Sequence, residues 1–207
     1  MSERTSESSE KPSFQRCFSS VAGLRAVRGA RGQTSARGWI RDEEERLAAE
    51  LGLGAIRLEE WRWGRAAAAC VLPAGAWVGR DAEGAPVVHG APDRVTLSHT
   101  RRWVAAAAGE LAALGIDVCD VVDAERVRRA LPRFAGDDVA LLADANDATW
   151  AAFWAVKEAA AKALGVGLFD GGLKASRILS LEPLVVEGLE AALEDWGDAA
   201  AALVWRR

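Results

Sequence analysis

Apolar and polar positions repeat along the chain with two different periods, and each change of period marks an element. Residues 41–51 carry acids early and apolar Leu47 and Leu51, with Gly52 and Gly54 to end the pattern, which predicts a helix. A second helix is expected over 59–72, stopped by Pro73. Two short strands follow at 77–78 and 86–88, with 81–84 as the turn between them. Residues 94–98 alternate and are β-branched at Val95 and Thr96, and 103–108 reads as the neighbouring strand across the turn His99-Thr100-Arg101-Arg102. A third strand is expected at 116–118, then helices at 123–131, closed by Pro132, and from 137 to 142. The clearest helix runs over 149–164, with Gly165 as a natural C-cap. Strands are expected at 177–181, 184–186 and 200–205, while 190–195 fits either helix or strand.

Helices and antiparallel strands thus occur in both halves without a regular βαβ alternation, so the fold class is α+β. Each half holds helices and a small, mainly antiparallel sheet, which predicts two similar lobes, 39–112 and 113–207, meeting near 110–115. Residues 1–38 differ in composition, being rich in Ser, Gly and Arg, with a charge of about +4 from seven Arg and Lys against three Glu. They read as a flexible basic tail, with Arg25, Arg28, Arg31 and Arg37 as alternative contacts for a phosphate-bearing ligand or an acidic partner.

Composition narrows the class. Half of the 207 residues are apolar and 27% are charged, enough for a sizeable core. The net charge of −4 argues against a general nucleic-acid binder. Three cysteines, Cys17, Cys70 and Cys119, form no Cys-x-x-Cys pair, which disfavours a disulfide framework or a structural zinc and points to reduced thiols in a cytoplasm. No signal-peptide core is visible, and the alanine-rich runs are too short to span a membrane.

Four places can carry chemistry. On the 149–164 helix, Glu158 and Lys162 are four residues apart and share a face with Trp154, which suits a site holding a cation and a phosphate together; the same spacing is also that of a common surface salt bridge. Asp117 sits in a short apolar strand with Ile116 and Val118 pointing to the other face. Facing a core it needs a partner or a metal, and a hard divalent cation prefers carboxylate and phosphate oxygens; facing solvent at a sheet edge it needs neither. Ser98-His99-Thr100 ends a strand, where adjacent side chains diverge, so an anion grip or an ordinary polar turn suits it better than a nucleophile–base pair. Arg65, in a Trp and Arg cluster that opens an alanine-rich helix, can hold a phosphate or serve packing. Gly165-Val166-Gly167 follows a helix and is not a dinucleotide fingerprint.

In this order the four places resemble the 4′-phosphopantetheinyl transferase superfamily, in its larger, two-lobed surfactin-type branch. That branch carries Ser-His on a strand, then Gly-Ile-Asp, then a Trp-x-x-Lys-Glu-x-x-x-Lys helix; here these are Ser98-His99, Gly115-Ile116-Asp117 and Trp154 to Lys162. Glu60-Trp61 and Gly64-Arg65-Ala66-Ala67 look like its first-lobe helix, and the Arg133-Phe134 to Asp138 stretch looks like its Phe-plus-acid segment. The resemblance covers roughly residues 40–190.

What the resemblance implies is a pseudo-twofold pair of lobes in a monomer. It implies transfer of the phosphopantetheine arm of coenzyme A to a serine of an apo acyl or peptidyl carrier protein, with release of 3′,5′-ADP. Asp117 and Glu158 would bind Mg²⁺, Glu158 would take the serine proton, and Lys162 would stabilise the leaving phosphate. Arg65, Ser98, His99, Lys157 and Lys162 would bind coenzyme A. Three positions depart from the pattern: Cys119 stands where many members have a third acid, Ala85 replaces the lysine of Gly-Lys-Pro, and Ala69 replaces a basic residue. The alternative is a catalytically impaired member that binds coenzyme A or a carrier protein without turnover.

Overall fold

The strand expected at three residues runs for eight. β7, Ala113–Asp120, is buried along its whole length, because both of its faces are covered. One face packs under a helix and the other against a second sheet, so its apolar residues do not alternate with solvent-facing polar ones, and only the β-branched centre stands out in the sequence. The computed structural model describes residues 13–21, 23–31 and 36–207, without the side chains of Arg37 and Phe169.

The chain builds a mixed α+β fold from small antiparallel sheets and helices. In chain order the strands of the first half are β1 (Gln15–Arg16), β2 (Arg25–Ala30), β3 (Trp77–Arg80), β4 (Pro86–His89), β5 (Arg94–His99) and β6 (Trp103–Gly109). After β7 come β8 (Ile178–Leu181), β9 (Leu184–Val186), β10 (Glu190–Asp195) and β11 (Ala199–Arg206). The helices are α1 (Asp42–Glu50), α2 (Ala55–Val71), α3 (Ala124–Ala130) and α4 (Asp147–Leu164), with short helical turns between them. The first main sheet has the order β1-β2-β6-β5 and the second β10-β11-β7; β3-β4 and β8-β9 are hairpins.

Three apolar layers hold these parts together. Trp63, Ala67 and Val71 of α2 pack on Val27, Val95, Val104, Ala106 and Ala108 of the first sheet. The opposite face of that sheet, Ala26, Ala105 and Ala107, meets Ile116, Val118, Ala201 and Leu203 of the second. Beyond it, Cys119, Ala200, Ala202 and Val204 pack under Ala155, Val156 and Ala159 of α4. Alanines on both sides let sheet and helix approach closely enough for backbone and polar side chains to reach across.

The stretch read as a flexible tail differs from that reading where it is described. Residues 25–30 form β2, an interior strand of the first sheet, paired with β6 from Arg25↔Ala108 to Ala30↔Trp103. Its Arg and Gly content hides this, since its buried residues are only Ala26, Val27 and Gly29. A Cβ on Gly29 would lie 2.8 Å from the Phe14 ring, so the glycine there makes room for an aromatic rather than flexibility. Arg25 pairs with Asp93, and Arg28 lies over the Trp103 and Trp196 rings. Residues 1–12 and the Arg37 side chain lie outside the described residues.

The ends of α4 follow local rules. Asn146 accepts from the Thr149 N–H at 2.9 Å, and Gly165 takes the left-handed conformation, φ 66°, that closes the helix. Residues 190–195, which fit either element, form β10 because β11 pairs along all six of them.

Candidate active site

Gly115 sets the site. A Cβ there would lie 1.9 Å from the Ala159 carbonyl oxygen, so only glycine lets the backbone of α4 rest on β7. Asp117 projects from the same face of β7 two residues later, and Glu158 directly precedes Ala159 on α4. The close approach therefore brings two carboxyl groups from distant parts of the chain together.

Asp117 and Trp154, the latter one turn earlier on α4, both lie close enough to Glu158 to act on its carboxyl. Burial first, and the negative charge of Asp117 second, push the Glu158 carboxyl up to about 8, while Lys162 pulls the other way. Asp117 is 3% exposed. Its Oδ1 accepts from Lys162 Nζ at 2.6 Å and from the Ser98 hydroxyl at 2.8 Å. Lys162 also reaches the carbonyls of Ile116 at 3.1 Å and Leu97 at 3.4 Å, closing the seam between β5 and β7, with about a third of its side chain exposed (34%).

The same seam explains Ser98. Thr96 and Ser98 lie on one face of β5, and their hydroxyls accept from the Ile116 and Val118 N–H groups at 3.2 and 3.1 Å. Side chains of one sheet thereby satisfy the outer edge of the other. The Ser98 hydroxyl thus already donates to Asp117 and accepts from Val118. Hydroxyls two apart on a strand were the available signal for this, and it points to an edge rather than to an anion grip.

His99 is half-exposed beside this seam, with Nε2 3.4 Å from Glu60. Burial lowers the imidazole, more than Glu60 raises it, and the nearby Arg31 and Lys162 charges lower it further. Arg31 itself spans Glu60 and the Thr100 carbonyl. On α2, Arg65 is 3% exposed and lies 3.8 Å above the Trp61 ring. Its Nε has no hydrogen-bond partner, and burial lowers the guanidinium to about 10.

Lys157 is not part of this arrangement. It leaves α4 on another face, is fully buried, and donates to Asp138 Oδ2 at 2.6 Å, the Leu173 carbonyl at 2.6 Å and the Ser176 carbonyl at 2.9 Å. All three of its protons have acceptors, so it is closed to a phosphate. Asp138, which also accepts from the Ile178 N–H at 2.8 Å, is the partner that the sequence did not assign to it.

Cys119 stands beside the two acids with a thiol raised by burial and by the surrounding carboxylates. Among the described residues no three His, Cys, Asp or Glu side chains gather as a metal cluster. Asp117 and Glu158 therefore bring two carboxyl groups together, without a third protein ligand among the described residues. Hard oxygen donors, a nearby ammonium group and a carboxyl poised near neutrality suit phosphate chemistry with proton transfer.

No helix is long and apolar enough to cross a membrane, among the described residues. A search of curated proteins gives no match to the chain. A family model described as the 4′-phosphopantetheinyl transferase superfamily matches residues 113–183, about a third of the chain, running from the start of β7 through α4 to the β8–β9 turn. Asp117, Glu158 and Lys162 all lie inside that match, so the part of the chain that carries the two acids and the lysine is the part similar to the 4′-phosphopantetheinyl transferase superfamily.

Proposed function

We propose that the protein is a transferase of the larger, two-lobed surfactin-type branch, which moves the 4′-phosphopantetheine arm of coenzyme A to a serine of an apo acyl or peptidyl carrier protein. The observation that carries this reading is the convergence of Asp117, Glu158 and Lys162 across the Gly115 contact, within the matched residues. The first sheet, outside the match, brings His99 near enough to Lys162 for the ammonium charge to act on the imidazole, while Arg65 on α2 would contribute as a further phosphate contact.

A buried carboxyl group and a partly buried one, the charge of the first opposing the ionisation of the second, fit a divalent cation, and Asp117 and Glu158 would hold Mg²⁺. When bound, Mg²⁺ neutralises the charge of the pyrophosphate. Glu158 would give up its own proton when the cation is held, and the resulting carboxylate would take the proton of the carrier serine hydroxyl. The serine oxygen forms a bond to the phosphorus that bears the pantetheine arm, and the bond from that phosphorus to the bridging oxygen breaks. The leaving phosphate of 3′,5′-ADP gathers negative charge, which Lys162 stabilises from its seat between β5 and β7. Asp117 orients Lys162 through their 2.6 Å contact.

The test is mass spectrometry of an apo carrier protein incubated with the protein, coenzyme A and Mg²⁺. A gain of one phosphopantetheine on the carrier is the expected result. Cys119 in place of a third acid favours one other reading, a protein that binds coenzyme A without turnover. Measurable coenzyme A binding with no gain on fatty-acid, polyketide and peptide-synthesis carriers would decide for it.

A further inference from the structure

Asp117 comes to the site with one of its two oxygens already engaged. Its Oδ1 accepts from Lys162 Nζ at 2.6 Å and from the Ser98 hydroxyl at 2.8 Å, which takes up the lone pairs of that oxygen. Lys162 is seated before any ligand arrives. Its three ammonium protons have Asp117 Oδ1, the Ile116 carbonyl at 3.1 Å and the Leu97 carbonyl at 3.4 Å as acceptors. Glu158, one turn before Lys162 on α4, is the other acid of the site. Two carboxylates set against one ammonium leave a single negative charge, a weak attraction for a divalent cation in contact with water.

Cys119 closes the remaining route on β7. It shares a strand face with Gly115 and Asp117, so a third acid there would stand beside the first. Its side chain is 5% exposed and belongs to the apolar layer under α4, with Ala155, Ala200 and Ala202. The thiol donates to the Asp120 carbonyl, with Sγ 3.6 Å from the oxygen. Sulfur is in any case a poor ligand for a hard cation, which takes oxygen. Asp120 leaves β7 on the opposite face. Among the described residues no third acid, histidine or cysteine completes a metal cluster with Asp117 and Glu158.

We infer that the protein takes up its divalent cation only together with the phosphate groups of its ligand, and that Lys162 and Cys119 impose this coupling: Lys162 by keeping a positive charge on Asp117, Cys119 by withholding a third protein ligand. A diphosphate changes both conditions. Its oxygens complete the shell of a cation that the protein meets with only one or two carboxylates. Its negative charge offsets that of Lys162, whose side chain is a third exposed (34%) and within reach of a ligand. Cation and phosphate ligand then raise each other's affinity by the same factor.

The inference rests on coenzyme A being the ligand, and its test is kept apart from the transfer assay. Electron paramagnetic resonance measures free Mn²⁺, a paramagnetic stand-in for Mg²⁺, in the presence of the full chain with and without coenzyme A. A blank of Mn²⁺ and coenzyme A without protein is subtracted. Wild type is expected to bind Mn²⁺ about a hundredfold more tightly with coenzyme A than without it. Lys162→Met and Cys119→Asp are expected to bind Mn²⁺ without coenzyme A about tenfold more tightly than wild type, and Cys119→Ala to match wild type. Cys119→Asp sets a carboxylate in an apolar layer, so thermal melts accompany it, and Lys162→Met decides alone if that variant does not fold. Wild-type affinities for Mn²⁺ that agree within about threefold with and without coenzyme A overturn the inference, as does Lys162→Met with unchanged affinity. Uptake of Mn²⁺ that depends on coenzyme A, with no gain on any carrier, overturns the transferase reading and leaves the inference standing. Transfer to a carrier with independent binding of Mn²⁺ and coenzyme A does the reverse.

Discussion

Lys157 and Glu158 are neighbours on α4, about 100° apart around its axis, and their surroundings are opposites. On the Lys157 face all three ammonium protons have acceptors from the same chain, and the group ties Asp138, Leu173 and Ser176 together. Burial lowers that ammonium group, and its hydrogen bond and charge contact with Asp138 work against the lowering. On the Glu158 face two carboxyl groups meet, the charge of one opposing ionisation of the other, and Lys162 stands a third in solvent. One face holds the segments around α4 in place; the other is left with electrostatic demands that a ligand can meet. A fold can keep a poised site only when the groups beside it are not poised at all, and α4 separates the two within a single turn.

The largest effect expected from breaking this contrast is on folding. Lys157→Met keeps the length of the side chain and leaves the Asp138 carboxylate buried without its cation. Loss of one partner of a buried pair costs about 3–5 kcal/mol, which urea unfolding measures, while the folded fraction keeps its transfer rate per molecule. A strong loss of rate with unchanged stability would move Lys157 to the chemical face and erase the comparison.

Glu158→Gln is expected to do the reverse, lowering transfer about 10³-fold without loss of fold. Its stability carries a pH signature. In wild type the folded state holds the Glu158 proton up to about 8, whereas the unfolded chain releases it near 4.5. Folded protein binds more protons across that window, so this group makes stability fall as pH rises through it. In EDTA the melting temperature of Glu158→Gln should therefore overtake that of wild type progressively from pH 5 to pH 8, ending higher by roughly 5 °C. A constant difference across that range would show that the carboxyl is not held protonated.

The chemical face was more legible in the sequence than the structural one. Glu158, Lys162 and Trp154 share a helix face by spacing alone, and Asp117 is conspicuous as an acid in an apolar strand. Gly115 tells the reader where helix and strand touch only once they are known to touch. Lys157 looked like one more phosphate ligand because it sits beside Glu158 in the chain; its true partner, Asp138, lies nineteen residues upstream in a helical turn, and no local period connects them. β2 was hidden for another reason. Its core contribution is one alanine, one valine and a glycine against Phe14, so composition outweighed pattern. β7 was read short because a strand covered on both faces loses the alternation that marks a strand's ends.

Lys162 sharpens the contrast from the exposed side. Lys162→Ala removes the cation nearest the breaking bond, and transfer should fall about 10²-fold. Stability should fall less than in Lys157→Met, by about 1–2 kcal/mol, because a third of the side chain already faces water. Without Lys162 the Glu158 carboxyl loses the charge that holds it down. Its proton should therefore be released at higher pH than in wild type, which carboxyl infrared bands followed through the titration would detect.

The smallest effect belongs to Ser98, and its value lies in which constant moves. As a grip on the nucleotide, Ser98 would act on the KM for coenzyme A. The geometry instead makes it a positioning residue, donating to Asp117 at 2.8 Å while it accepts the Val118 N–H at 3.1 Å. Ser98→Ala leaves that buried N–H without a partner and frees Asp117 to turn, so kcat should drop about tenfold, with a stability loss of about 1–2 kcal/mol. The KM for coenzyme A should change by less than about twofold, since no bond to the substrate has been removed. Ser98→Thr, which keeps the hydroxyl, should recover most of kcat. If KM rises and kcat holds, Ser98 belongs with Arg65 and His99 as a substrate contact, and the seam between β5 and β7 is open to the ligand rather than closed by the fold.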